Sequence, residues 1–359
     1  MNDVLSLALY LPQYHPIPEN DEWWGPGFTE WTNVAKARPL YKGHVQPNQP
    51  GDLGFYELRL EDTRCAQAAL ARQYGIDGFC YYHYWFGNGK RLIERPFEEV
   101  LKSQKPDFPF CLAWANQTWA GVWHGLDKQV LIEQTYPGDD DHRTHFETLL
   151  PAFEDPRYIR IDGKPLFMIY DPSDLPGGKR TIDLWREFAI KAGLPGIYFI
   201  AQHADSAWPA AQHGYDAFLN LRNFPKRRAW TPWSDPVKKI RGKALDVLGR
   251  PTIFDYKGAI DYFVPDDYAS PLAIPCVIPN WDNTPRSGAR GFVLEGSTPE
   301  LFGQQVRKAL RHARNKPGSE KILFIKSWNE WAEGNYMEPD RRHGHKYLEV
   351  FRDALKAPA

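Results

Sequence analysis

Eight short runs rich in β-branched and aromatic residues recur along this chain, at 5–11, 78–84, 110–114, 166–170, 197–201, 217–221, 276–279 and 322–327. Amphipathic stretches separate most of them, at 57–74, 95–103, 142–153, 181–192, a short 206–212 and 299–315. A chain patterned this way buries its strands by wrapping a parallel sheet in helices. Eight strands favour closure into a (β/α)8 (TIM) barrel, and no glycine-rich phosphate turn follows the first strand, which argues against a doubly wound open sheet. The 359 residues are therefore read as one α/β barrel domain, 1–359, with long loops over its C-terminal rim.

Two excursions account for the extra length. Residues 12–53 are rich in Trp, Pro and Gly without periodicity and read as an ordered loop over the barrel mouth, where Trp23, Trp24 and Trp31 would wall a cleft. The second spans 222–270. Between 222 and 250 it carries nine basic and two acidic residues, a local charge of +7. That reads as a solvated face, with a contact for phosphate or an acidic glycan as the sharper alternative.

A barrel makes a demand on the rest of the sequence, because its chemistry belongs just after the C-terminal ends of strands. Polar and aromatic residues do collect there: Tyr10, Gln13, Tyr14 and His15 after the first run, Tyr82, His83, Tyr84 and Trp85 after the second, Trp114, Asn116, Gln117 and Trp119 after the third. Tyr170, Gln202 and His203 close the fourth and fifth, and Trp281, Asp282, Asn283 and Arg286 follow the seventh. His83 and Tyr84 are read as substrate contacts, Trp114 as a stacking plane and Asn116 as a hydroxyl-binding amide. His203 stands equally as a rim contact or a core histidine.

The eighth run delivers Trp328-Asn329-Glu330-Trp331-Ala332-Glu333-Gly334. Two acids three residues apart are common on solvated helices, but at a barrel strand end among tryptophans they read as a catalytic pair for glycosidic bond cleavage. In a helical turn their Cβ atoms would lie roughly 5–6 Å apart on one face. This approaches the carboxyl separation of about 5–5.5 Å that accompanies retention of configuration. Mutual repulsion would push their pKa values apart and leave one protonated near neutrality.

Other chemistries find little support. The net charge is -1 and the pI about 6.8, which advertises no nucleic-acid partner. Aromatic residues make up 14% of the chain, including 14 Trp, more than packing alone requires. Cys65, Cys80, Cys111 and Cys276 have irregular spacing and read as reduced core residues. The triplet Asp139-Asp140-Asp141 resembles a metal element but follows Pro137-Gly138 and opens an amphipathic stretch, so helix capping explains it. HExxH, CxxC, GxGxxG and Walker-type spacings are absent, so no metal and no cofactor is expected. No run of 18 apolar residues suggests a transmembrane segment, and a start without a signal-peptide pattern reads as cytoplasmic. Oligomeric state has no signature in the sequence.

Several motifs together resemble the WbsX-like proteins, a bacterial group associated with O-antigen and other polysaccharide gene clusters and related to glycoside hydrolase family 99. They are Tyr10-Leu11-Pro12-Gln13-Tyr14-His15-Pro16, Trp24-Gly25, Phe28-Thr29-Glu30-Trp31, Gly78 to Trp85, Trp114-Ala115-Asn116, 158–170, 280–286 and the Trp328 to Gly334 segment. The resemblance implies a (β/α)8 barrel acting with retention, endo-type and α-mannosidase-like, through a 1,2-anhydro sugar. By position it implies that Glu330 deprotonates the sugar 2-hydroxyl and Glu333 protonates the leaving oxygen. It also implies sugar contacts at Tyr10, Tyr82 and Tyr170, with Arg286 at the same rim, where Trp281, Asp282, Asn329 and Trp331 are read as substrate contacts from their places after the seventh and eighth runs. The expected substrate is an oligosaccharide or polysaccharide such as an O-antigen glycan, with a lipid-linked precursor met peripherally at a membrane as a variant. The rival readings are an O-antigen glycosyltransferase and a non-catalytic glycan-binding barrel.

Overall fold

The computed structural model describes residues 3–121, 130–221 and 250–357. Eight parallel strands form its core: β1 (Leu5–Tyr10), β2 (Gly78–His83), β3 (Phe110–Trp114), β4 (Lys164–Ile169), β5 (Tyr198–His203), β6 (Ala217–Asn220), β7 (Ala273–Val277) and β8 (Ile322–Ile325). Each pairs with its sequence neighbours. β1 pairs with β8 from Leu5↔Ile322 to Ala8↔Ile325, and β3 with β4 from Leu112↔Phe167 to Trp114↔Ile169, which closes the ring. The result is the expected (β/α)8 barrel.

The segments between strands are largely helical. α1 (Pro18–Trp24) and α2 (Glu30–Lys36) lie in the first excursion, α3 (Glu61–Gln73) comes after it, and α4 (Arg95–Ser103), α5 (Asp139–Glu154) and α6 (Lys179–Lys191) link β2 to β5. A 3-10 turn, Ala210–His213, links β5 to β6; α7 (Tyr256–Phe263) precedes β7, α8 (Pro299–Arg314) precedes β8, and α9 (Lys346–Lys356) ends the described chain. α8 starts where Thr298 Oγ1 accepts from the Leu301 amide at 3.3 Å, with Pro299 as the first helical residue.

Strand alternation sorts the side chains. On β2, Phe79 and Tyr81 turn outward, Phe79 packing on Tyr10 and Phe108, and Tyr81 on Phe97 of α4, while Tyr82 turns to the barrel mouth. Outside β3 and β4, Trp185 of α6 stacks on Phe167 with centroids 5.2 Å apart. Between α5 and the strands sits a buried histidine pair, His83 Nε2 to His145 Nε2 at 2.7 Å, with Trp85 stacked on His145.

Several expectations need correction. The first excursion holds α1 and α2, each only seven residues, too short for periodicity to register. β7 runs Ala273–Val277 where 276–279 was expected, with Pro275 inside the strand and in register opposite Asn220. α7 and α9 are additions to the expected helices, although Leu348, Phe351 and Leu355 carry helical spacing. Cys80, Cys111 and Cys276 are buried, but Cys65 on α3 is only half-buried; all four are free. Asp139–Asp141 form the first turn of α5, where Asp141 accepts from Trp85 Nε1 and the Asn88 amide. The basic stretch expected at 222–250 lies, apart from Arg250, outside the described residues. Among them, no helix is long and apolar enough to cross a membrane.

Burial holds His83 neutral, lowering its pKa to about 3 with Arg91 as a smaller cause, and burial pushes His145 down as well. A depressed histidine adds stability that is intact above its unfolded pKa near 6.5 and is lost as pH falls toward the folded value. For His83 the loss should be on the order of 3 kcal/mol at pH 4. Urea titrations at pH 7 and pH 4 should therefore show a steep acid loss that is flattened in His83→Phe/His145→Leu; parallel pH curves for the two proteins would refute this account.

Candidate functional site

The barrel mouth holds a cavity of about 320 Å³ lined from all eight strand ends and from the first excursion. That volume lies at the small end of ligand sites. Leu11 follows β1, Tyr82 and Tyr84 come from β2, Ala115 and Gln117 follow β3, and Tyr170 follows β4. Gln202 lies near the end of β5, Leu221 follows β6, Trp281 follows β7 and Lys326 follows β8. Trp24 of α1, Glu30 of α2 and Trp119 complete much of the wall.

Glu330 and Glu333 also line it, but not from an α-helical turn. Asn329–Glu330 pairs antiparallel with Asn335–Tyr336, and the hairpin is closed by a 3-10 turn, Trp331–Glu333. The hairpin is fixed from several sides. Asn329 bridges the Leu11 backbone, accepting from its amide at 2.8 Å and donating to its carbonyl at 3.0 Å. The Tyr14 hydroxyl donates to the Asn329 carbonyl and accepts from the Trp331 amide. Trp331 donates its indole N–H to Glu338 at 2.6 Å and stacks on Tyr336 at 3.7 Å. At Gly334, φ is +58° and an added Cβ would lie 2.9 Å from Asp282, so only glycine lets the turn reach the β7 loop, where the Asp282 amide donates to the Glu333 carbonyl at 2.6 Å.

Three carboxylates converge on one guanidinium. Arg286 donates Nη1 to Glu333 at 2.6 Å, Nη2 to Glu330 at 3.1 Å and Nε to Glu30 at 3.0 Å. Glu30 is placed for this by the start of α2, where Thr29 caps the helix against Thr32 and the Glu30 amide donates to the Gln13 carbonyl. Burial raises the Glu330 pKa to about 7, Glu333 adds to the rise, and Arg286 and Lys326 oppose it. Burial likewise raises Glu30, against Arg286. Burial works against a charged Arg286, but Glu30, Glu333 and Glu330 outweigh it and keep it protonated. Three carboxylates against two cations, Arg286 and Lys326, give -1 when all are ionised, and a single proton on the carboxylates makes the set neutral.

The structure thus brings together Glu330, Glu333, Tyr82, Tyr84, Tyr170, Trp281 and Arg286. Gln13, Trp24, Gln117, Trp119 and Gln202 line the cavity as well, whereas the remaining sequence candidates do not. Tyr10 turns outward and donates its hydroxyl to Gln67, and His83 faces His145. Trp114 donates to the Trp85 carbonyl and packs on His145 and Trp185. Asn116 braces the β4 end through the Asp171 backbone and Tyr136. His203 stacks on Trp208. Asp282 accepts from His44 and Gln46, and Asn329 and Trp331 hold the hairpin. Trp31 is buried under the hairpin against Tyr14 and Trp331, and Trp23 meets Trp119 edge-on, so of the three tryptophans expected as a wall only Trp24 lines the cavity. Glu30 and Lys326 are site residues that sequence reasoning misses. Lys326 abuts the acid motif and Glu30 lies within a Thr-Glu-Trp motif, but neither has a partner in local sequence that signals a site. Among the described residues, no group of three His, Cys, Asp or Glu side chains is arranged to hold a metal.

The sequence family described as Glycosyltransferase WbsX matches residues 6–351. Two proteins of Xanthomonas campestris pv. campestris, each named Uncharacterized protein WxcX, are 36% identical over 354 residues and 37% over 363, covering 98% of this chain. Each is matched over 50% of its own length, so the chain spans about half of these curated relatives. In three dimensions, the GH99 endo-alpha-mannosidase of Bacteroides thetaiotaomicron in complex with bis-tris-propane superposes with a TM-score of 0.58 at 15% identity, covering 99% of this chain and 97% of that one. A glycoside hydrolase-like protein gives 0.58 at 14% identity, with 100% and 95% covered. At such identities these likenesses establish the barrel fold.

Arg286 should hold the three carboxylates together. Arg286→Met leaves buried negative charge uncompensated and should lower stability at pH 7 by about 3–5 kcal/mol, with partial recovery in Arg286→Met/Glu30→Gln. Chemical denaturation of both variants checks this; a double variant no more stable than the single one would contradict it.

Proposed function

This chain belongs to the WbsX family, and from that premise we propose that it is a glycan-active enzyme of the retaining, family-99-like kind that cleaves a bacterial polysaccharide such as an O-antigen glycan. The observation that carries the reading is the convergence of Glu330 and Glu333 on Arg286 in an aromatic-walled cavity at the C-terminal rim. Tyr82, Tyr84, Tyr170 and Trp281 supply the flat apolar faces and hydroxyls suited to a pyranose.

In the proposed route, Glu330 takes the 2-hydroxyl proton as O2 attacks C1. The C1–oxygen bond breaks, and Glu333 gives its proton to the departing oxygen. A 1,2-anhydro sugar results. Water then adds at C1, Glu333 takes the water proton, and Glu330 returns its proton to O2, so configuration is retained and both acids are restored. An acceptor hydroxyl in place of water would turn the same chemistry into transfer, which is how the family description as a glycosyltransferase is accommodated without a nucleotide sugar.

The pKa of Glu330 near 7 suits a general base working at neutral pH. As a base it must be ionised, so kcat/KM should rise with pH through about 7 in the free enzyme. A fall through the same range would make it the acid and reverse the roles. Glu330→Gln and Glu333→Gln should each cost about 10²–10⁴-fold in turnover, measured on polysaccharides of the source organism with product stereochemistry followed by NMR. Unchanged turnover in either variant would sink the mechanism, and inversion at C1 would sink the retaining route.

A further inference from the structure

Lys326 transfers no proton in this cleavage route, although its charge helps to hold Glu330 ionised, and it is a buried ammonium. It follows β8 just before the acid hairpin, is 6% exposed and lines the cavity. Its Nζ meets the Tyr82 hydroxyl at 3.3 Å and lies 5.9 Å from the centre of the Tyr82 ring and 5.6 Å from that of Trp281. No carboxylate among the described residues reaches it within ion-pair distance, since Glu30, Glu330 and Glu333 are all taken by Arg286. An ammonium has three donors, and Tyr82 accounts for one. On the same cavity, Gln202 Oε1 is buried without a partner.

A buried ammonium is costly unless paired and hydrogen-bonded. Aromatic faces offset part of that cost, about 2 kcal/mol at best when desolvated. A hydroxyl would satisfy one donor but no charge, whereas a carboxylate satisfies both. Arg286 cannot take this role, because its donors are committed to the three glutamates. The cavity is thus divided, with cleavage chemistry around Arg286 and, set against Tyr82 and Trp281, an ammonium that feels Glu330 and Glu333 only at a distance and has no carboxylate in ion-pair reach among the described residues.

We propose that the sugar unit bound in this cavity carries a carboxylate, as a uronic acid does, and that Lys326 is its receptor and a determinant of substrate specificity. Gln202 Oε1 accepts from a neighbouring hydroxyl of the same sugar, and Tyr82 keeps the ammonium in place. This deepens the glycan-cleaving reading and rests on it for the identity of the ligand as a sugar.

The test compares acidic polysaccharides (alginate, pectate, hyaluronan and gellan) with the same polymers after carbodiimide–borohydride reduction of their carboxyl groups, and adds a neutral yeast mannan. Binding is read by affinity electrophoresis of Glu333→Gln protein, so that it does not depend on turnover, and cleavage is read separately with the unsubstituted protein. At least one acidic polymer should be retained more than tenfold better than its reduced form. Adding Lys326→Met should bring the ratio of acidic to reduced retention close to one, whatever it does to binding of the reduced form, and adding Lys326→Arg should restore part of that ratio. Equal retention by both forms, retention by mannan alone, or no retention by any acidic polymer overturns the proposal. Carboxylate-dependent binding without cleavage would instead remove the hydrolytic reading and leave this one, and indiscriminate cleavage would do the reverse.

Discussion

The contact on which the site depends is the guanidinium of Arg286 with its three glutamates. It joins three separate parts of the chain: the start of α2 in the first excursion, the loop after β7 and the hairpin after β8. Each brings a group that would be costly to bury alone, and only with the nearby Lys326 do they come within one charge of neutrality. The long first excursion is held across the barrel mouth in part by this electrostatic tie, so loop and rim share one polar centre.

Behind the tie lies a second layer that fixes direction. Asn329 is bound to the Leu11 backbone, Tyr14 bridges the first strand of the hairpin and its turn, and Trp331 is held by Glu338, itself bonded to Tyr56 and Gln67. Burial raises Glu338 to a pKa of about 7, against four hydrogen-bond donors. A carboxyl so close to neutral pH in the support of the acid hairpin couples the geometry of the site to protonation beyond the glutamates that line it. The motif residues thus divide into those that face the cavity and those that hold them there.

Much of the barrel was legible because strand length and amphipathic spacing are local properties: all eight strands fall within a few residues of their expected places, and β3 and α4 coincide with them. Elements shorter than two turns, α1 and α2, escaped because seven residues cannot display a period. The site was legible in part. Rim position after a strand identifies the loop but not the facing of each residue, since a strand alternates and the residue after it is free to turn either way. Hence Tyr82 and Tyr84 reach the cavity while His83 between them is paired with His145 behind it. Tyr10 and Trp114 go outward by the same alternation.

The sequence by itself determined the alternation of strand and helix, the number of strands, and the delivery of two acids by the eighth strand into an aromatic setting. These follow from period, composition and chain order. Tertiary structure decided which side chains share a cavity and which ionise together. Glu30 and Arg286 are 256 residues apart, and Lys326 is left without a carboxylate in ion-pair reach because Arg286 holds all three glutamates. Nothing local marks either fact, because a charge's partner is set by where the barrel closes, and closure brings together residues that the chain keeps far apart.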